Sequence, residues 1–136
     1  MDDLFSMGHQ ALASQPFSTL LGTHLDAFAS GHVELRLAIR PDLLQQHGYV
    51  HGGVLSYLAD NALTFAGGSV LGPNVLTSSY TMSYVRPAQG EHLVARANVV
   101  AAGRRQATCR CDIFVTTGAE EVLCALAQGS IVSIGD

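Results

Sequence analysis

Residues 54–66 are apolar almost all the way round a helix: Val54, Leu55, Tyr57, Leu58, Ala59, Ala62, Leu63, Phe65 and Ala66. A helix of this kind has no face for water and has to be buried. A curved sheet wrapped round it would bury it, and the rest of the chain offers the strands. Val33, Leu35, Leu37 and Ile39 alternate with Glu34, Arg36 and Ala38, the period-2 pattern of a strand with one buried face. Strands are expected over residues 23–29, 32–39, 75–85, 92–102, 106–115 and 122–134, with turns at Ser30-Gly31, Gly72-Pro73-Asn74, residues 87–90, Gly103 and Gly118-Ala119-Glu120. Gly67-Gly68 is expected to end the central helix. Residues 41–50 read as a polar loop, and residues 3–14 as a short helix with Leu4, Met7 and Leu12 on its apolar side. Clustered strands around one central helix predict an α+β domain with an antiparallel sheet.

Composition narrows the function. Charged residues are 13% of the chain, about half the usual ~25%. Disorder is excluded, since it needs low hydrophobicity and high charge. So few charges on a small domain also point to surface buried against another chain. The net charge is −4 with no basic block, so the footprint of a nucleic-acid binder is missing. No apolar run reaches the ~18 residues of a membrane-spanning helix. Met1-Asp2-Asp3 is acidic and lacks the regions of a signal peptide, so a cytoplasmic protein is expected. The chain reads as one domain over residues 1–136, with 1–17 as an N-terminal helical segment. The cysteines number three, an odd count that argues against a disulfide framework; Cys109 and Cys111 share one face of a strand and read as core residues.

The polar members of the apolar helix need a reason. Ser56, Asp60 and Thr64 recur at every fourth position and line one stripe, with Asn61 adjacent. A carboxylate on a buried helix is costly unless it is paired, hydrogen-bonded or protonated. Asp60 is either a solvated residue at a subunit seam or a catalytic carboxylate. Just before it, His51-Gly52-Gly53 opens the helix. The first N–H groups of a helix have no intrahelical partner and carry the positive end of its dipole, so they can stabilise an oxyanion; a plain tight turn is the other reading. Gly52 and Asp60 are eight residues apart, ~12 Å along a helix, so one carbonyl cannot touch both. Two such helices packed antiparallel about a twofold axis would bring Asp60 of one chain beside Gly52 of the other.

The run from His51 to Asp60 resembles the HGGxxxxLxD signature of hotdog-fold thioesterases of the PaaI type. Tyr84-Val85-Arg86-Pro87-Ala88 resembles the Y-x-x-P-A turn of that family, and Gly103-Arg104-Arg105 its G-K/R turn. The order of elements matches over residues 20–134. The resemblance implies hydrolysis of acyl-CoA thioesters by a hotdog fold, an antiparallel sheet wrapped around one long helix, in homodimers with shared active sites that often pair into tetramers. It implies that Asp60 is the nucleophile or general base, that the Gly52 N–H holds the thioester oxygen and that His51 shapes that end. Gln45 falls where the family has Asn or Gln, with Gln46 as a rival. Thr64 matches a family hydroxyl four residues after the carboxylate, and Thr77 a hydroxyl on the following strand. Tyr84, Val85, Arg86 and Pro87, and Gly103, Arg104 and Arg105, fall on the turns that would bind CoA, and an Arg fork suits phosphate.

Thioester cleavage needs an oxyanion donor and a carboxylate, so neither cofactor nor metal is expected. His47 and His51 are four apart, but Gly48 interrupts them as a metal pair. No G-x-S-x-G elbow or Gly-rich nucleotide cradle occurs. A hotdog dehydratase acting on 3-hydroxyacyl thioesters and a non-catalytic acyl-CoA binding module are the alternatives. Tyr57, Leu63 and Phe65 are candidates to line the acyl pocket, aryl or alkyl.

Overall fold

In a computed structural model of the protein, which describes residues 3–135, the chain runs α1 (Asp3–Ala13), α2 (Pro16–Leu21), β1 (His24–Ala29), β2 (His32–Ala38), a 3-10 turn (Pro41–Leu43), α3 (Gly52–Leu71), β3 (Val75–Tyr84), β4 (His92–Ala102), β5 (Gln106–Thr117) and β6 (Glu120–Ser133). Met1, Asp2 and Asp136, and so the outer ends of the expected 1–136 domain, lie outside the described residues. The six strands form one antiparallel sheet in the order β1-β2-β4-β5-β6-β3. Among the described residues no helix is long and apolar enough to cross a membrane.

The sheet wraps α3 as its all-round apolar surface demands. Leu58, Ala59, Ala62, Leu63 and Ala66 are fully buried, and α3 packs on every strand of the sheet. Small inward residues on β4 and β5, among them Ala95, Ala97, Cys109 and Cys111, make room for it. The three thiols are free and buried. Burial pushes Cys111 up to about 12, and Cys109 and Cys124 up to about 11. Little thiolate exists at neutral pH, so these are inert core residues.

The central helix does not end at Gly67-Gly68. It continues to Leu71 and is closed by Gly72 at φ 103°, in the left-handed region glycine enters without strain. Gly67 is there for packing, since a Cβ at this position would lie 2.6 Å from the Ile131 Cβ on β6. Gly68 has no such need, as its Cβ would meet only a Val75 methyl at 3.4 Å. The two glycines therefore respond oppositely to alanine. Gly67→Ala should lose about 1–3 kcal/mol through overpacking against a branched side chain. Gly68→Ala should gain about 0.5–1 kcal/mol by removing a mid-helix glycine. Urea titration of both variants checks this, and a stabilised Gly67→Ala would refute the close-packing account.

α2 is absent from the sequence reading. Its signals are Pro16 at the first helical turn and Gly22, whose N–H bonds the Ser18 carbonyl at φ 83°. The outcome that matters most for the site is the position of β3. Third among the strands in sequence, it pairs with β6 and forms a sheet edge, leaving Leu76 and Tyr84 more than half exposed. The other edge, β1, is covered by α1, where Gly8 sits so close to the Phe28 ring that a Cβ would come within 2.5 Å.

Candidate active site

The stripe of α3 that carries Ser56, Asp60 and Thr64 faces β3. Ser56 Oγ hydrogen-bonds the Tyr80 hydroxyl. The Thr77 hydroxyl donates to Asp60 Oδ1 at 2.6 Å. Thr77 has one proton, so in its 2.9 Å contact with Thr64 it accepts. The Thr64 proton is shared between that bond and the Asp60 backbone oxygen at 2.8 Å. A chain Thr64 to Thr77 to Asp60 results, with one carboxylate oxygen held and, among the described residues, no donor on Oδ2. The register of β3 shifts between Thr77 and Ser79, a bulge of the kind that re-aims a side chain beside a site. Asp60 is half-buried at the exposed β3 edge.

His51 is the N-cap of α3, and its Nδ1 accepts from the Gly53 N–H at 2.8 Å. Its carbonyl accepts from Val54 and Leu55. The Gly52 N–H is thereby left as the first helical amide without an acceptor among the described residues, an available oxyanion donor. The Tyr84 ring covers this turn, its hydroxyl donating to the Gly52 carbonyl at 3.3 Å. The loop into the helix is held by His51 N–H to the Leu43 carbonyl and by Val50 N–H to the Ala88 carbonyl, each 2.9 Å. The Tyr84–Ala88 turn thus braces the helix start, with Val85, Arg86 and Pro87 exposed.

Other candidates are not brought together. Gly52 and Asp60 are on one helix, ~12 Å apart in rise, as the spacing predicts. Gln45 turns inward on its own loop, its amide oxygen accepting from His47 N–H at 2.5 Å and Tyr49 N–H at 3.4 Å, while Gln46 is exposed. Arg104 and Arg105, after Gly103, line a cleft of about 490 Å³ with Leu71, Gly72, Pro73 and Asn74. Arg86 lies past the other end of β3, a strand of 10 residues that spans ~33 Å. Within one chain these arginines cannot share a diphosphate.

One polar cluster escaped the sequence reading. Ser18 is buried and its hydroxyl lies 2.5 Å from the Tyr57 hydroxyl, which is also 2.8 Å from Thr23 Oγ1. Asn61 donates to both Ser18 and Tyr57 at 3.3 Å. Tyr57 and Asn61 therefore tie α3 to the N-terminal segment, away from Asp60. Recognising α2 would have exposed this signal. Leu63 is fully buried core. Among the described residues no three His, Cys, Asp or Glu side chains gather as a metal site requires.

A family model described as the thioesterase superfamily matches residues 47–122, a stretch that includes both the HGG turn and Asp60. The chain belongs to the thioesterase superfamily. A Deinococcus radiodurans protein, named for a presumed esterase activity, is 37% identical over 117 residues, covering 85% of this chain and 77% of that one. A thioesterase family protein from Silicibacter pomeroyi has the same fold at TM-score 0.90 and 30% identity, covering 96% of this chain and 99% of its own. The E. coli PaaI protein of the phenylacetic acid degradation operon superposes at TM-score 0.84 with 25% identity, covering 97% and 94%. The sheet round α3 is accordingly the hotdog fold of PaaI-type thioesterases. Membership of the thioesterase superfamily supports thioester hydrolysis as the general activity.

Proposed function

We propose that the protein hydrolyses acyl-CoA thioesters to free acid and CoA, at a site shared by two copies of the chain. The observation that carries this is the Asp60 carboxylate, fixed through Oδ1 by Thr77 with Oδ2 open, on the face of α3 turned to an exposed sheet edge. Antiparallel association along that edge supplies the second half of the site, with the Gly52 N–H coming from the partner subunit. Asp60 then acts on the carbonyl carbon directly or takes a proton from the attacking water. In direct attack the Asp60 oxygen bonds the carbonyl carbon, the C–S bond breaks to release thiolate, and water then opens the acyl–Asp60 anhydride to free acid and carboxylate. In the general-base route the water oxygen bonds the carbonyl carbon, the C–S bond breaks and the proton held by Asp60 passes to the departing thiolate. In both, the oxyanion rests on the helix-start N–H. His51 keeps its lone pair on Gly53, which holds the helix start in shape. The same antiparallel pairing carries Arg86 of one chain toward the Arg104–Arg105 cleft of the other, reuniting the basic residues for the CoA phosphates.

Release of the free acid tests the reading, with one acyl group presented as the CoA thioester, as the N-acetylcysteamine thioester and as an oxygen ester. The expected order of kcat/KM is CoA thioester above truncated thioester above oxygen ester. Parity between the first two would remove CoA from the proposal, and preference for the oxygen ester would remove thioester chemistry. In the Arg104→Ala/Arg105→Ala double variant, loss of charge-assisted bonds worth ~1.5–3 kcal/mol should raise KM for the CoA thioester by at least about tenfold. The truncated thioester should be unaffected; a KM increase for both substrates would mean that the arginines serve the fold.

A further inference from the structure

A second opening begins at Thr64, the far member of the hydrogen-bonded chain just described. It is a cleft of about 360 Å³ between α1 and the C-terminal half of α3. Thr64 lies on its wall, and the Thr64 hydroxyl touches the Thr77 hydroxyl that holds Asp60. The cleft therefore begins two hydrogen bonds from the carboxylate. From there it follows Thr64, Gly68 and Gly72, a row at every fourth residue on one face of α3 and ~12 Å long. Met7 and Ala11 of α1 form the opposite wall. The rings of Phe28 and Phe65, edge to face at 5.4 Å, close the side.

Two magnitudes identify the occupant. A dry cavity of ~150 Å³ holds a benzene ring, so a single ring underfills a space more than twice that size. With C–C bonds of ~1.5 Å, a zigzag chain advances roughly 1.3 Å per carbon, so ~12 Å takes about eight to ten carbons. Gly68 is the residue that keeps this length open. Packing does not demand a glycine there, since its Cβ would meet only Val75 at 3.4 Å, and a mid-helix glycine is destabilising. We infer that this cleft takes the acyl chain, that the substrates are medium-chain acyl thioesters, and that Gly68 sets the chain length. The inference rests on the thioesterase reading above.

The test is kcat/KM for acetyl-, hexanoyl-, decanoyl- and phenylacetyl-CoA, with wild type, Gly68→Leu and Ala11→Leu. Wild type should prefer decanoyl-CoA over acetyl- and phenylacetyl-CoA by at least about tenfold, given that each buried methylene carries a factor of ~10 or more. Gly68→Leu should lower the decanoyl-to-acetyl ratio by about tenfold. Ala11→Leu, an exposed position on α1, fills the cleft from the other wall and should shift the ratio in the same direction even where Gly68→Leu folds poorly. An equal loss at every chain length, the outcome if the pantetheine arm lies here, overturns the inference, as does a wild-type preference for phenylacetyl-CoA. If wild type cleaves none of the four, the thioesterase reading fails and calorimetry with decanoate judges the cleft. Binding to wild type and not to Gly68→Leu upholds it as an acyl site; absence of binding to wild type overturns it.

Discussion

Asp60→Asn should reduce thioester hydrolysis by about 10²–10⁴-fold with the fold intact. The substitution keeps size and shape, and Asn still offers an oxygen to the Thr77 hydroxyl that now donates to Oδ1 at 2.6 Å. What it removes is the ability to attack a carbonyl or accept a proton. Asp60 forms no ion pair among the described residues, so no countercharge is left stranded, and thermal stability should change little. Thiol release by wild type and variant, beside their melting curves, reads both halves of the expectation. Equal turnover by the two proteins would remove Asp60 from the mechanism. A large drop in melting temperature would instead assign it to structure.

Gly52→Pro should cost about 10²–10³ in kcat, the loss measured when one oxyanion donor is deleted. Proline removes the N–H and nothing else that this position uses. It is favoured at the first helical residue, and the preceding His51, at φ −59° and ψ 135°, already has the extended backbone that proline requires before it. The variant also reports whether the site is shared. When Asp60→Asn and Gly52→Pro subunits are mixed and allowed to reassociate, half the dimers are mixed, and each then has one undamaged site if Asp60 and Gly52 act from different chains. Activity should return to about a quarter of wild type. No recovery from verified mixed dimers would end the shared-site proposal, since the two groups of one chain are ~12 Å apart on one helix.

Much of the fold was legible because its rules are local. The all-round apolar pattern of residues 54–66 meant burial, and alternation located the strands. Asp60 and Thr64 fell on one stripe because a helix fixes the direction of every fourth side chain. Gly67 misled for a physical reason, since a glycine that ends a helix and a glycine that admits a neighbouring strand look alike until Ile131 is in place. Residues 16–21 went unread because so short a segment shows little periodicity, and the Ser18–Tyr57–Asn61 cluster was hidden with them.

By itself, the sequence determined a buried helix with one polar stripe, an amide-rich helix start eight residues before a carboxylate, and six strands to cover them. Only the tertiary structure decided that β3 crosses to the sheet edge and that a bulge aims Thr77 at Asp60. It likewise decided that Arg86 stands a strand's length from Arg104 and Arg105, and that α1 leaves a cleft over Gly68. The reason is one of range. Periodicity sets where a side chain points on its own element, whereas the distance between side chains on different elements depends on strand order, register and the approach of one backbone to another.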